Sequence, residues 1–394
     1  MNQPHPSKGA PSGATQKEIN MMILMRLIYS VFKSFVLIYI NIYLWKVGKS
    51  MQAVAVFNIA NYFAATVSFY VGNMIALKNM RYNYILSSLS FMVAFGLTGL
   101  FSETISSYAI LIGLLGGTGD GLFFFNLNSF QSSQLDTESI DRFMSINGAL
   151  SKASAIITPV VSGFVIEFYG FRVMTAILFG FIVVQFLLSL NMSSHSITVL
   201  GRVNVKKVFR RDAYHKVLLS NLLMPPYSQF TAIANSVFLY SFVVRESLIG
   251  VINSAFSVFS ILMFIVYRRT LRLASRRKVM GLGALACAIV ILLVFQPSMY
   301  TFIAYGLLTS IGAAFFQTPL VGVQLRSAKK HSVDEGDMLG NLMLRVILLN
   351  TGRVAFFTLM YFFYTDYTSP IFTILLVYNM MVPLVSYRIV REEI

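Results

Sequence analysis

The chain has few of the residues on which enzymes and metal sites depend. It contains one cysteine and four histidines in 394 residues. The histidines lie in the first tail or in polar segments between apolar runs, and Cys287 stands alone inside such a run. No metal cluster, Ser-His-Asp set or phosphate-binding glycine loop can be assembled from this inventory. The sequence therefore predicts no cofactor, no enzymatic activity and no ATP-driven pump.

Charged residues are also scarce. They make up 12% of the chain, whereas hydrophobic residues make up 56%. A soluble domain is about 25% charged, so this composition excludes a soluble globule and indicates a polytopic membrane protein. Residues 1–18 are polar and rich in Pro, Gly and Ser, without a short apolar core and cleavage site. We expect a disordered tail that leads directly into the first span, and no signal peptide.

Apolar runs long enough to cross about 30 Å of hydrocarbon occur twelve times in the sequence. The predicted spans are 19–44, 51–77, 82–101, 107–129, 143–168, 173–192, 217–244, 248–267, 279–295, 300–323, 338–364 and 370–387. An even number places both termini on one side. The longest internal connection, 193–216, separates an N-terminal six-helix bundle at 19–192 from a C-terminal one at 217–387, and 388–394 forms a second tail.

Basic residues outnumber acidic ones, 31 to 15, and their distribution predicts the topology. Most lie in the tails and in alternate loops, while the opposite loops hold only Lys46, Lys49, Arg172 and Arg245. By the positive-inside rule both termini and the 193–216 loop are cytoplasmic. The basic runs are then explained by topology and by contact with anionic membrane lipids, not by binding to nucleic acid. Short outer loops of this kind are typical of bacterial membrane proteins, so we expect a location in the bacterial cell membrane.

The two predicted bundles carry a trace of duplication. Span 4 contains Gly-Leu-Leu at Gly113 and a second glycine at Gly119, and span 10 contains Gly-Leu-Leu at Gly306 and a second glycine at Gly312. All of these positions match at one offset. Two six-span halves related in this way form a known transporter architecture.

Span 5 and the turn after it carry the most specific motif. The sequence Ser154-Ala-Ile-Ile-Thr-Pro159-Val-Val-Ser-Gly163 is followed by Tyr169-Gly170-Phe171-Arg172. It resembles the antiporter motif of the major facilitator superfamily, in which small residues flank a proline and a Gly-aromatic-Arg turn follows.

The loop between spans 2 and 3 resembles the same superfamily less closely. It has Gly72 and then Lys78 and Arg81, but lacks the family's acid between them. The resemblance extends over nearly the whole chain and implies twelve helices in two pseudo-symmetric bundles. It also implies gating roles for Gly72, Arg81, Pro159 and Gly163, and a central cavity lined by spans 1, 4, 7 and 10 with 2, 5, 8 and 11 as side walls.

Six ionisable residues interrupt the apolar spans, and five of them are basic: Arg26, Lys33, Asp120, Lys152, Arg345 and Arg353. A charge near the bilayer centre costs roughly 2.5–3.5 kcal/mol on insertion scales, so such residues are candidates for a functional site. If the resemblance holds, all six lie on cavity helices. One acid cannot offset five cations, which favours an anionic substrate.

Two of these residues leave alternatives open. Arg26 and Lys33 are seven residues apart and fall on one helix face, forming a basic stripe along span 1, unless Arg26 only snorkels to the headgroups. Asp120 is the sole acid near the middle of the bilayer. It either binds and releases a coupling proton or forms a fixed ion pair with Lys33 or Lys152.

Neutral polar residues extend the candidate surface. Asn58, Asn61 and Tyr62 share a face of span 2, and Gln229 and Gln317 mark spans 7 and 10. Each could contact a ligand or make a hydrogen bond between helices.

A proline pair stands near one end of span 7. Pro225 and Pro226 should kink or break that helix and supply a gate element.

The sequence thus predicts a secondary transporter that works by alternating access. We expect a proton-coupled monomer that moves an anionic or amphipathic small molecule. Two alternatives remain: a lipid or glycolipid flippase of the same fold, and a transport-inactive receptor or scaffold.

Overall fold

Twelve long helices, and no strand, form the described part of the chain. The computed structural model describes residues 15–133, 137–192, 212–271, 274–332 and 335–392. The helices, numbered α1 to α12 in chain order, are Gln16–Gly48, Met51–Ala76, Met80–Leu100, Ser102–Gln131, Thr137–Tyr169, Phe171–Leu190, 212–243, Glu246–Thr270, Arg276–Phe295, Met299–Lys330, Glu335–Phe363 and Pro370–Val390. The predicted tail 1–18 and loop 193–216 lie mostly outside the described residues.

Eleven of these helices are long and apolar enough to cross a bilayer. The exception is α7, whose sequence includes polar residues and two prolines in its first 22 positions. Its length and its place between α6 and α8 nevertheless complete the twelve-helix arrangement. Successive helices alternate in direction, so the bundle has a terminal end, where α1 begins and α12 ends, and a distal end opposite it.

Local sequence signals set several helix boundaries. Thr15 and Glu18 form a capping box in which the Glu18 carboxylate accepts the Thr15 N–H at 2.8 Å, so α1 begins at Gln16, three residues before the predicted start. The sharp turn between α5 and α6 uses Gly170 at φ +88°, a left-handed conformation that favours glycine. After it, Phe171 stacks on Tyr43 with ring centroids 3.7 Å apart.

The proline pair does not break α7. The first segment of α7 runs without interruption over Asp212–Ile233 and includes Pro225 and Pro226. The irregularity comes later, as a π-helical turn over Ala234–Phe238, and α1 has a π-helical turn over Val36–Ile40. The first helices of the two halves therefore share the same departure from regular geometry, and such turns often mark functional sites.

Packing around the matched glycines repeats between the halves. A Cβ at Gly113 would lie 2.4 Å from a backbone oxygen of α2, and one at Gly306 would lie 2.3 Å from the Phe256 ring of α8. A Cβ at Gly119 would meet the Phe91 ring of α3 at 2.5 Å, and one at Gly312 would meet Sγ of Cys287, in α9, at 2.2 Å. Helices 2 and 8, and 3 and 9, are equivalent in a six-helix repeat, so each glycine pair serves the same helix contact in both halves.

Three pairs of helices form most of the contact between the halves in the described part of the chain. Near the distal end α1 contacts α7, and α5 packs antiparallel on α8; from mid-depth to the terminal end α2 packs on α11. The α5–α8 contact runs from Gly163 beside Glu246 to the Ser257 hydroxyl, which donates to the Ala155 carbonyl at 2.9 Å. The site residues described below lie at these contacts or inside the first half.

Candidate functional site

Asp120 forms an ion pair inside the first half of the bundle. Its carboxylate on α4 pairs with the Lys33 ammonium of α1 and accepts a hydrogen bond from the Tyr29 hydroxyl at 2.9 Å. The Asp120 residue is 6% exposed, and Tyr29 is held by stacking on Phe123 with centroids 4.5 Å apart. Of the two partners that the sequence left open, Lys33 is the one that contacts Asp120, and Lys152 is elsewhere.

A small cavity borders this ion pair. Its volume is about 30 Å³, room for a water molecule, and residues of α1, α2, α3 and α4 line it, among them Asn61 and Thr98. The lining residues all belong to the first half. This cavity therefore lies within the first half, and a position of Lys33 and Asp120 at the central cavity stays a prediction.

Arg26 lies one helical turn from Tyr29 on the same side of α1. Its guanidinium is 5.1 Å from the Tyr29 ring centroid and 5.6 Å from that of Phe124. Both are cation–π distances. No described side chain forms an ion pair with Arg26, and the residue is half-buried among aromatic rings.

A second polar cluster joins the halves at mid-depth. The Tyr62 hydroxyl of α2 donates to Gln229 of α7 at 2.9 Å, and the Arg353 guanidinium of α11 lies 4.9 Å from the Tyr62 ring centroid. Arg353 also donates to the Asn350 side chain at 2.9 Å, and Asn350 donates to Thr66 of α2 at 2.9 Å. We name these five residues, Tyr62, Thr66, Gln229, Asn350 and Arg353, the inter-half cluster.

The remaining two basic residues have no acidic partner among the described side chains. Arg345 lies two turns from Arg353 toward the terminal end of α11, and the Nε atoms of both are buried without a hydrogen bond in the described part of the chain. Lys152 of α5 lies over the Phe264 ring of α8, with Nζ 4.6 Å from the centroid. A planar guanidinium with free donors suits a carboxylate or phosphate group.

The other predicted polar residues differ in their surroundings. Asn58 donates to the side chain of Asn41 and to the Val54 carbonyl, both at 2.8 Å, so it joins α1 to α2. Asn61 faces the small cavity beside Asp120. Gln317 ends a π-helical turn of α10 and is half-buried, without a hydrogen bond to a described residue.

The predicted gating residues fall into two groups. Gly72 and Arg81 act within the first half, where Asn83 donates to the Gly72 carbonyl at 2.7 Å and Arg81 donates to the Leu190 carbonyl. Pro159 and Gly163 instead lie against α8 of the second half. A Cβ at position 250 would be 2.2 Å from the Pro159 carbonyl oxygen, so the α5 motif packs closely on the opposite half.

A set of contacts at the distal end was not predicted. Lys46 at the end of α1 pairs with Glu246 at the start of α8 at 2.8 Å, and Glu167 of α5 pairs with Arg245 at 2.9 Å. The Tyr39 hydroxyl donates to the Pro159 carbonyl at 2.6 Å and, more weakly, to the Glu246 carbonyl at 3.3 Å.

Tyr39, Lys46, Glu167, Arg245 and Glu246 form what we call the distal latch. Four of its members are charged residues at helix ends, where a side chain can be solvated by water and need not have a protein partner. The signal available was that opposite charges stand at the distal ends of neighbouring helices in different halves.

Proteins of two bacteria are similar to this chain in sequence. No protein-family model matches the chain. An uncharacterized protein YqgE of Bacillus subtilis (strain 168) is 26% identical over 347 residues, which are 80% of this chain and 75% of that protein. An uncharacterized protein in sodM 3'region of Geobacillus stearothermophilus is 26% identical over 159 residues, 39% of this chain and 73% of that protein.

Solved structures match over nearly the whole chain. A variant of the peptide transporter POT aligns with a TM-score of 0.73 at 12% identity, covering 98% of this chain and 97% of that one. The nucleoside transporter NupG aligns at 0.67 and 11% identity, covering 95% and 98%. A bacterial homologue of the iron transporter ferroportin, in an outward-facing state, aligns at 0.66 and 15% identity, covering 96% and 98%. The chain therefore has the twelve-helix fold of the major facilitator superfamily.

Proposed function

We propose that the protein is a secondary active transporter that moves an anionic small molecule across the cell membrane by alternating access, with both termini in the cytoplasm. The observation that carries this proposal is the charge balance of the site. Lys33 forms the ion pair with Asp120, while Arg26, Arg345 and Arg353 form no ion pair with a described side chain. Uncompensated guanidinium groups near the midplane favour an anion and disfavour a cation.

The contacts between the halves support a rocking motion. The distal latch and the α5 motif hold α1, α5 and α8 together at one end. At mid-depth the halves meet through hydrogen bonds of single side chains, such as that of Tyr62 with Gln229, which can exchange for bonds to a ligand. In the proposed cycle the distal latch opens when the terminal end closes, and the inter-half cluster is exposed to each side in turn.

We further propose that Asp120 carries the coupling proton. A proton on its carboxylate would remove the charge that holds Lys33 and leave the Tyr29 hydroxyl free to rotate. Because Lys33 and Tyr29 belong to α1 and Asp120 belongs to α4, the proton would act first on the packing of α1 against α4. Coupling of this kind needs two arrangements of α1, and its π-helical turn over Val36–Ile40 offers a place for the change.

The test of the substrate proposal is flux in proteoliposomes with matched anionic, neutral and cationic compounds of similar size. We expect uptake of anions, and loss of about 10- to 100-fold in Arg353→Gln, since hydrogen bonds to charged groups are worth about 1.5–3 kcal/mol. Arg269→Gln removes an exposed cation at the end of α8 and is the matched control. Movement of cations with exclusion of anions would overturn the charge argument.

The coupling proposal has a separate test. Asp120→Asn should abolish uptake driven by a pH gradient but preserve exchange of substrate for substrate, which needs no net proton movement. Tyr29→Phe keeps the carboxylate and should retain partial pH-driven uptake. If the pH dependence of Asp120→Asn equals that of the wild type, Asp120 does not carry the proton.

A further inference from the structure

The contact between α5 and α8 ends before the two helices do. It continues from Gly163 to Ala155, and its last member is the Lys152 ammonium over the Phe264 ring. Beyond Lys152, toward the terminal end, the described residues of the two helices share no hydrogen bond, ion pair or ring contact, and a Cβ on Gly148 of α5 would meet nothing within 4 Å. The two helices are therefore separated at the terminal end, although α2 and α11 remain packed there through Phe69 and Met343.

Helix geometry identifies the uncovered surface. At about 100° per residue, the α8-facing direction of α5, marked by Pro159 and Gly163, continues through Ser145, Gly148, Ala149 and Lys152. All four are exposed, and a Cβ on Gly148 would meet nothing within 4 Å.

The opposing wall belongs to α8. The corresponding face of α8 continues through Phe264, Ile265 and Arg268, of which the last two are exposed. We call the space between Ser145, Gly148, Ala149 and Lys152 on one side and Phe264, Ile265 and Arg268 on the other the α5–α8 slit.

The slit combines two cations with apolar walls. Neither Lys152 nor Arg268 forms an ion pair with a described side chain. Exposed apolar residues lie on the outer faces of both helices, turned away from the slit, and would face lipid in a bilayer: Ile157, Val161, Leu262 and Val266. The Lys152 ammonium, which lies over the Phe264 ring, lacks the ion-pair partner that a charge within the bilayer normally has. A ligand with an anionic head and an apolar chain would satisfy both surfaces at once.

We propose that the α5–α8 slit binds a single-chain anionic amphiphile and admits it sideways from the bilayer, with its head at Lys152 and its chain along Phe264 and Ile265. This inference rests on the proposed function and narrows its substrate class. Arg268 at the rim would attract the head first, and Lys152 would receive it as it moves inward.

The experiment compares three probes in proteoliposomes that contain the full chain. Fluorescent NBD-lysophosphatidylglycerol is the anionic amphiphile, NBD-lysophosphatidylcholine is its zwitterionic counterpart, and glycerol 3-phosphate is the head without a chain. Transbilayer movement is read from dithionite quenching, and binding to the purified protein from fluorescence anisotropy. We expect movement and binding of the anionic amphiphile in preference to the zwitterionic one.

Gly148→Trp should fill the slit and lower both movement and binding of NBD-lysophosphatidylglycerol at least tenfold. Gly180→Trp is the matched control, since Gly180 is also an exposed helical glycine with nothing within 4 Å of its Cβ. Lys152→Gln should abolish the preference for the anionic head, and Lys152→Arg should preserve it.

The outcomes separate the two proposals. If glycerol 3-phosphate or another soluble anion is moved but NBD-lysophosphatidylglycerol neither binds nor moves, the slit proposal is overturned and the transport proposal stands. Equal effects of the two tryptophan substitutions would also overturn it. If no compound is moved but the amphiphile binds in a manner sensitive to Gly148→Trp and Lys152→Gln, the slit is supported and the transport proposal fails.

Discussion

Removal of one charge from the distal latch should open the distal end of the bundle. Glu246 accepts two hydrogen bonds, one from the Lys46 ammonium and one from the Tyr240 hydroxyl, each at 2.8 Å. Lys46 belongs to the first half, whereas Tyr240 belongs to the same half as Glu246. Of these two bonds, only the one from Lys46 is broken when the halves separate at the distal end. Its loss therefore shifts the equilibrium between the closed and open forms, whereas the bond from Tyr240 is present in both. The perturbation is Glu246→Gln.

The size of the effect follows from exposure. The side chain of Glu246 is 13% exposed and that of Lys46 is 49% exposed. Hydrogen bonds to charged groups are worth about 1.5–3 kcal/mol when shielded, and exposed ion pairs are worth about 0.2–1 kcal/mol. This pair lies between the two cases, so we expect a shift of about 1 kcal/mol, or about fivefold in favour of the form with an open distal end. Lys46→Gln should cause a similar shift, and the double variant should add little to either, because both remove one interaction.

The assay is a distance measurement between spin labels at the distal end. Thr104→Cys and Tyr300→Cys place labels on exposed positions of different halves, and the one native cysteine, Cys287, is buried. Glu246→Gln should enlarge the population with the longer distance about fivefold.

The control is an ion pair that does not cross between the halves. Lys216 holds the pKa of the Glu392 carboxyl below its usual value through a contact of 2.9 Å, and both residues lie at the terminal end. Lys216→Gln should leave the distances unchanged. If Glu246→Gln and the control give the same distribution, the latch does not hold the distal end closed.

Two further predictions concern packing and the inter-half cluster. In Gly117→Ala the new Cβ would lie 2.0 Å from a backbone oxygen of α2, and such overpacking typically costs about 1–3 kcal/mol. We therefore expect this variant to have a lower melting temperature in detergent. Gly180→Ala, with open space around the new Cβ, should melt like the wild type. Tyr62→Phe removes the hydrogen bond to Gln229 but keeps the ring under Arg353. It should change anion affinity less than threefold and speed the opening and closing of the two halves. A loss of affinity as large as that of Arg353→Gln would show that the Tyr62 hydroxyl itself binds substrate.

Much of the architecture could be predicted because the bilayer imposes a simple rule on each span. Apolar runs gave twelve spans, and the structure has a helix at each of them. The rule does not predict where a helix ends, because a helix can continue beyond the hydrocarbon, where water solvates its charged side chains. Thus α10 extends to Lys330 and includes Arg326 and Lys329, seven residues beyond the predicted end at 323. The start of α1 could have been found, because Thr15 and Glu18 have the spacing of a capping box.

The candidate site was predictable in its composition but not in its arrangement. An acid within an apolar span requires a partner, and this argument alone limited the partner of Asp120 to a few basic residues. Which one contacts it depends on the rotation of each helix, and sequence periodicity is too coarse to fix that rotation. Contacts between halves, such as Lys46 with Glu246, depend on the conformation of the whole bundle and leave no local pattern.

In the proposed transport cycle, the distribution of basic residues over the two halves gives the substrate's charge a role in the motion itself. Arg26 and Lys152 belong to the first half, and Arg345 and Arg353 belong to the second. Bringing the halves together around an empty site places like charges near one another in a medium of low dielectric constant, where their repulsion is strongest. An anion between them reverses the sign of that interaction, whereas a cation adds to the repulsion. A ligand can shift a conformational equilibrium only by its difference in affinity for the two forms, and here an anion has that difference by electrostatics alone. We therefore expect a bound anion to favour the occluded form through which the halves must pass, so that binding and reorientation are driven by the same charges.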